Sequence, residues 1–91
     1  MLLLLSPIEL KEVDCLAKAI YHEARGEPRI GQEAVASVVL NRTKYPEYPK
    51  TVCGVVYQPY QFTNIRYSKP NKDSEQWEVA MEVATFTYLG L

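Results

Sequence analysis

Two carboxylates four residues apart, Glu23 and Glu27, stand where an apolar helical pattern ends, in the stretch Tyr21-His22-Glu23-Ala24-Arg25-Gly26-Glu27-Pro28. Cleaving a glycosidic bond needs a carboxylic acid that is still protonated near neutral pH. The common device is a glutamate half-buried against apolar side chains, where desolvation raises its pKa. On a wheel of about 100° per residue, Glu23 falls ~60° from Ile20 and nearly in line with Leu16, at the edge of the apolar face. The competing reading is a solvated helix end, and position alone favours it, because carboxylates are rarely buried without a partner. Glu23 and Glu27 repel each other, but Arg25 and Arg29 are close enough in sequence to cancel the effect. His22-Glu23 also begins a His-Glu-x-x-His zinc motif, yet Gly26 stands where the second histidine belongs. No metal is expected. His22 is the only histidine and neither cysteine belongs to a Cys-x-x-Cys pair.

A second stretch, Tyr57-Gln58-Pro59-Tyr60-Gln61-Phe62-Thr63-Asn64, interleaves aromatic rings with amides and a hydroxyl. Sugars are held this way, with an apolar ring covering the C–H face while amides meet the hydroxyls. The same composition also suits surface packing or a protein interface. Arg66, Lys69 and Lys72 follow, either as a solvated loop or as a greeting for an anionic polymer.

The elements that must position these groups are mostly helical. Ser6-Pro7-Ile8-Glu9 has capping-box spacing with proline at the first helical position. Leu10, Val13, Ala17, Ile20 and Ala24 then form one stripe running to about Arg25. A second helix is expected from about Gly31 to Arg42, with Gln32, Glu33, Asn41 and Arg42 on its polar side and a central, well-packed position. Pro46 and Pro49 mark a loop, and Thr51 caps a short turn of helix over Val52 to Val56. From Tyr57 to Lys72 there is no helical period and only hints of extended structure. Asp73, with Gln76 three residues on, caps a last helix whose stripe is Trp77, Ala80, Met81, Ala84 and Tyr88, ending at Gly90. The fold class is therefore mainly α, of an α+β kind: three main helices with an aromatic, amide-rich loop or small hairpin as a cleft wall.

Ninety-one residues with 47% hydrophobic content make residues 1–91 one small globular domain. A chain this short has a thin core and gains from a staple or a partner. A net charge of −1, from 10 basic and 11 acidic residues, argues against a nucleic-acid partner. The opening Met1-Leu2-Leu3-Leu4-Leu5 lacks a preceding basic residue and is closed by Pro7 and Glu9. It is too short for a signal h-region or a membrane span, and is expected to pack on the core or on a neighbouring chain. Without an export signal, Cys15 and Cys53 are expected to be free thiols rather than a disulfide.

Three blocks taken together carry a resemblance: Glu23-Ala24-Arg25-Gly26-Glu27-Pro28, then Gly31-Gln32-Glu33-Ala34-Val35-Ala36-Ser37-Val38-Val39-Leu40-Asn41-Arg42, then Thr51-Val52-Cys53-Gly54-Val55-Val56-Tyr57-Gln58-Pro59-Tyr60-Gln61-Phe62. Over roughly residues 14–90 the chain resembles the SleB/CwlJ-type cell-wall hydrolases, which include spore cortex-lytic enzymes and related phage lysins. The resemblance implies a lysozyme-like, lytic-transglycosylase-like domain acting on peptidoglycan glycan strands between N-acetylmuramic acid and N-acetylglucosamine, with no cofactor. It makes Glu23 the catalytic acid, Glu27 a supporting residue that accepts amides or orients Arg25, and Tyr57, Gln61 and Phe62 the substrate contacts. It places the site of action at the bacterial cell wall, with a virion-associated or phage-encoded origin among the options.

Tyr60 stands where the family commonly has glycine and Cys53 where it commonly has serine, changes expected to alter loop shape more than chemistry. Family members continue into an Asp-Pro-Thr and Ala-x-Tyr-Phe-type segment, so the C-terminal part of the fold is expected to be missing or supplied by another chain. The alternative of a different class is an inactive, truncated relative serving as a structural component, for example of a phage particle.

Overall fold

The computed structural model describes residues 5–58, 65 and 68–91. Four helices follow in order: α1 (Pro7–Ala24), α2 (Arg29–Arg42), α3 (Val52–Val56) and α4 (Glu75–Leu89). Among the described residues the fold is entirely helical. The aromatic loop or hairpin expected around residues 59–64 lies outside the described residues.

The N-terminus of α1 follows from local chemistry alone. The Ser6 hydroxyl accepts from the Glu9 amide at 3.1 Å, and the Glu9 carboxylate accepts from the Ser6 amide at 2.9 Å, satisfying two of the amides that a helix start leaves unpaired. Donation to the carboxylate, from the Ser6 amide first and the Ser6 hydroxyl second, holds the Glu9 carboxyl below its ordinary value. A depressed carboxyl contributes stability above its unfolded pKa and loses it as pH falls through the folded value, so this cap weakens on acidification.

α1 is the central helix, a position the sequence pattern assigned to α2. It packs against α2, α3 and α4, and buries Val13, Cys15, Leu16, Ala17, Ala19, Ile20 and Ala24. Three alanines keep it slim enough for neighbours to approach from several sides, whereas Leu10 at the start of the expected stripe remains 38% exposed. α2 buries only Gln32, Ala36 and Val39, and its Val38 is 45% exposed. Val52, Val55 and Val56 of α3, Trp77, Ala80, Val83 and Ala84 of α4, Leu5 and Ile65 complete one core. Leu5 packs on the body of the domain, and the rest of the expected N-terminal segment, residues 1–4, lies outside the described residues. The radius of gyration, 12.0 Å, is about that of a folded chain of this length.

Five residues make a poor helix by themselves, and α3 is held from outside. Both carboxylate oxygens of Glu12 on α1 accept from its first turn, from the Val52 amide at 2.6 Å and the Cys53 amide at 2.9 Å. Thr51 accepts from the Gly54 amide at 3.0 Å. Three orphan amides are thus satisfied, two of them by a negative charge at the positive end of the helix. Gly54 is required by close approach: a Cβ there would lie 2.8 Å from Pro49 Cβ and 2.8 Å from Thr51 Oγ1.

The same contact brings Cys15 and Cys53 together as a disulfide, with Cα atoms 5.2 Å apart, correcting the expectation of free thiols. Packing sets that proximity between residues 38 apart in sequence, which local spacing does not reveal. The α4 cap is also corrected. Ser74, not Asp73, accepts from the Trp77 amide at 3.1 Å, while the Asp73 amide donates to the Asn71 side chain at 3.1 Å.

Cross-linking a loop of this length is worth about 3–4 kcal/mol. Reduction, or Cys15→Ser, is expected to lower the unfolding free energy by about that amount in urea titrations. Glu12→Gln, with the disulfide intact, is expected to cost about 1–2 kcal/mol. An unchanged urea midpoint for Glu12→Gln would remove the carboxylate from the account of α3.

Candidate functional site

Glu23 is the last but one residue of α1. The helix cannot run on: Arg25 is extended at φ −62°, ψ 140°, and Gly26 has φ 81°, a left-handed conformation natural to glycine alone. The Glu27 amide then donates to the Ala24 carbonyl at 3.1 Å, closing the turn. Pro28 caps α2, and its carbonyl accepts from the Gly31 amide at 2.9 Å. The side-chain amide of Gln32 reaches back to the Glu27 carbonyl at 3.0 Å. Glu23 therefore projects from a rigid helix end, directly before a turn pinned from both sides.

The structure leaves Glu23 exposed rather than half-buried. The wheel places it at the rim of the apolar face, and α1 ends too soon for a further turn to cover it. Glu27 is also exposed. Its carboxylate hangs over the first turn of α2, with Oε2 only 3.0 Å from where a Cβ on Gly31 would sit. Arg25 is turned elsewhere, its guanidinium 4.8 Å from the Tyr21 ring centroid. Tyr21 in turn meets Trp77 edge-on at 5.9 Å, so the C-terminal end of α1 is braced against α4.

Tyr57 is the C-terminal cap of α3, and its hydroxyl accepts from Lys18 Nζ at 3.2 Å. Lys18 precedes Glu23 by five residues on α1, about 7–8 Å along the axis. Tyr57 thus stands beside the same helix, a turn and a half before the carboxylate. Gln61 and Phe62 lie outside the described residues.

Among the grooves formed by described residues are three whose linings do not include Glu23. One of about 520 Å³ runs along α4 past Trp77, Met81 and Phe86. Another, of about 590 Å³, lies between α2 and the end of α4. The third, of about 330 Å³, joins the turn at Gly26 and Glu27 to the start of α4 at Glu75. Arg29 links α2 to α4, with Nη1 2.7 Å from Glu82 and Nε 3.7 Å from Glu33. The Tyr88 phenol is pushed up by burial, and further by the charges of Glu12 and Glu9. Among the described residues no three potential ligands gather to hold a metal, and no helix is long and apolar enough to cross a membrane.

Sequence reasoning missed Glu12 and Gln32. Glu12 carries no local signal, since its partners lie 40 and 41 residues away. Gln32 did carry one: it shares a helical face with Ala36 and Val39, in phase with the buried positions of α2.

Residues 26–90 match the cell wall hydrolase family, Hydrolase_2. The chain belongs to that family. This cell wall hydrolase domain is 42% identical over 69 residues to the spore cortex-lytic enzyme of Bacillus subtilis strain 168, covering 71% of this chain and 23% of the relative. It is 48% identical over 54 residues to that of Halalkalibacterium halodurans, covering 59% of this chain and 16% of the relative. It is 41% identical over 69 residues to that of Bacillus cereus strain ATCC 14579, covering 71% and 27%. The chain thus spans about a quarter or less of the length of these relatives. No solved structure matches it. The family match opens at Gly26, so the assignment of Glu23 in this hydrolase domain rests on the Glu-Ala-Arg-Gly-Glu block and on its place at the end of α1.

Gly26→Ala is expected to cost about 1 kcal/mol, from forcing a Cβ into the left-handed region, read as a lowered urea midpoint. No atom lies within 4 Å of the added Cβ. A larger loss would therefore mean that the turn does more than end the helix.

Proposed function

We propose that the chain degrades peptidoglycan by cutting the glycan strand between N-acetylmuramic acid and N-acetylglucosamine, with Glu23 as its single catalytic carboxylate. The observation that carries this reading is the family match over residues 26–90, with a glutamate at a helix end three residues before it. Spore cortex-lytic enzymes are its curated relatives, and spore cortex is a peptidoglycan. Glu23 is exposed, so its carboxylate is open to a strand laid against the end of α1.

Glu23 protonates the glycosidic oxygen as the bond to the leaving sugar breaks. In the transglycosylase route the same carboxylate then takes the proton of the muramyl C6 hydroxyl, which attacks C1 and closes an anhydro ring. The substrate supplies its own nucleophile, so a second carboxylate is unnecessary. This frees Glu27 for a supporting role over the first turn of α2. Tyr57 offers a ring face and a hydroxyl to the sugar, and Lys18 fixes that hydroxyl; Gln61 and Phe62 are the other sugar contacts of this reading.

Purified chain and the Glu23→Gln variant, compared on peptidoglycan zymograms and by release of soluble muropeptides, test the assignment. The expected outcome is clearing by the parent and a loss of at least about 100-fold in the variant, with anhydro ends detected by mass spectrometry. Equal clearing by both would remove Glu23 from catalysis, and reducing ends in place of anhydro ends would make water the acceptor. Tyr57→Phe is expected to raise KM about threefold, the value of one exposed hydrogen bond, with kcat little changed.

A further inference from the structure

The third groove contains a group whose needs are unmet. Gln32 lines it, is only 4% exposed, and has no partner for Oε1 among the described residues. Its Nε2 is committed to the Glu27 carbonyl at 3.0 Å, which fixes Oε1 as the acceptor. A buried acceptor left unpaired costs the desolvation of that group, and a donor that reaches it from the groove, with a small shift of the side chain, recovers it. The other groove residues point to what kind of donor.

Two acidic residues, Glu27 and Glu75, line the groove. The one cation among the lining residues, Arg29, is answered outside the groove by Glu82 at 2.7 Å and Glu33 at 3.7 Å, and stacks over Phe86 at 5.9 Å. The acceptors therefore outweigh the available positive charge. Val79 supplies an apolar patch beside them. The set suits a primary ammonium on an aliphatic stem, with three donors and no acceptor and methylenes to lay along the valine.

We propose that this groove binds the free side-chain ammonium of the diamino acid in a peptidoglycan stem peptide, so that the domain reads the peptide as well as the glycan. The inference rests on the peptidoglycan reading above and extends it to a specificity: strands whose stem peptides retain a free amine are preferred over those in which it is acylated by a cross-link. The groove begins at Gly26, three residues after Glu23, so a strand held at the carboxylate would have its peptide within reach of the groove.

The test separates binding from turnover. Nα-acetyl-lysine amide and its Nε-acetylated counterpart, which differ in charge but share the stem, are titrated into isotope-labelled protein. Shifts are followed at the backbone amides of Gly26 and Val79 and at the side-chain amide of Gln32. The free amine is expected to shift all three, the acetylated probe none, and Glu75→Gln to weaken binding about fivefold, the range of an exposed charge-assisted contact. Equal shifts by both probes, or an unchanged affinity in Glu75→Gln, would overturn the proposal, as would shifts confined to other residues.

In turnover, peptidoglycan with chemically acetylated amines is expected to show a KM raised about fivefold at unchanged kcat, and an unaltered KM would exclude the stem peptide as the source of the amine. Glu23→Gln is expected to abolish turnover while leaving the amine shifts intact. Failure of the catalytic assignment and failure of the groove are thereby read from different measurements.

Discussion

The fold depends on one junction, where α1 holds α3. A five-residue helix has no stability of its own to contribute, yet α3 delivers three valines to the core and presents Tyr57 at its end. Glu12 makes this possible by giving both carboxylate oxygens to the first amides of α3, and the disulfide between Cys15 and Cys53 repeats the connection covalently one helical turn away. The two devices differ in kind. The carboxylate satisfies groups that would otherwise be buried unpaired, whereas the cross-link chiefly restricts the unfolded chain. Together they let 91 residues close a core that area alone would leave marginal.

The candidate site inherits its order from this junction. α1 carries Glu23 at its C-terminal end, and the same helix carries Glu12, Cys15 and Lys18 toward α3. Anything that shifts α3 along α1 shifts Tyr57 relative to the carboxylate. On the opposite side, Tyr21 against Trp77 and Arg29 against Glu82 tie the turn and α2 to α4. The Arg29 pairs are exposed and worth little energetically, so the aromatic contact and the buried small residues of α4 set that spacing.

What could be read in the sequence was local. The Ser6–Glu9 capping box, the stop at Gly26 and Pro28, the Thr51 cap and the glycine end of α4 all depend on residues within a few positions of one another, and each stands where the pattern put it. The Asp73 cap failed at the scale of one residue: Asp73 and Ser74 are both good caps, and Asn71 engages the Asp73 amide, leaving the helix start to Ser74. The larger departures were tertiary. Which helix is central, whether two distant cysteines meet, and how far Glu23 is covered all depend on the order in which helices pack. Gln32 falls between the two cases, polar by type but in phase with the buried face. Its exclusion from the core followed from reading chemistry before periodicity.

The disulfide also gives the chain an uneven covalent topology. Residues 15 to 53 form a closed ring that contains Glu23, Glu27 and Gln32, while α4 lies wholly outside it, joined to the ring by the chain that continues from residue 53 and by side-chain packing. The disulfide does not restrain the seam between α4 and the ring, along which Tyr21 meets Trp77 and Arg29 meets Glu82. The end of α1 that carries Glu23 is thus on the covalently confined side of that seam, and α4 holds its place against it through the packing of Trp77, Ala80, Val83 and Ala84.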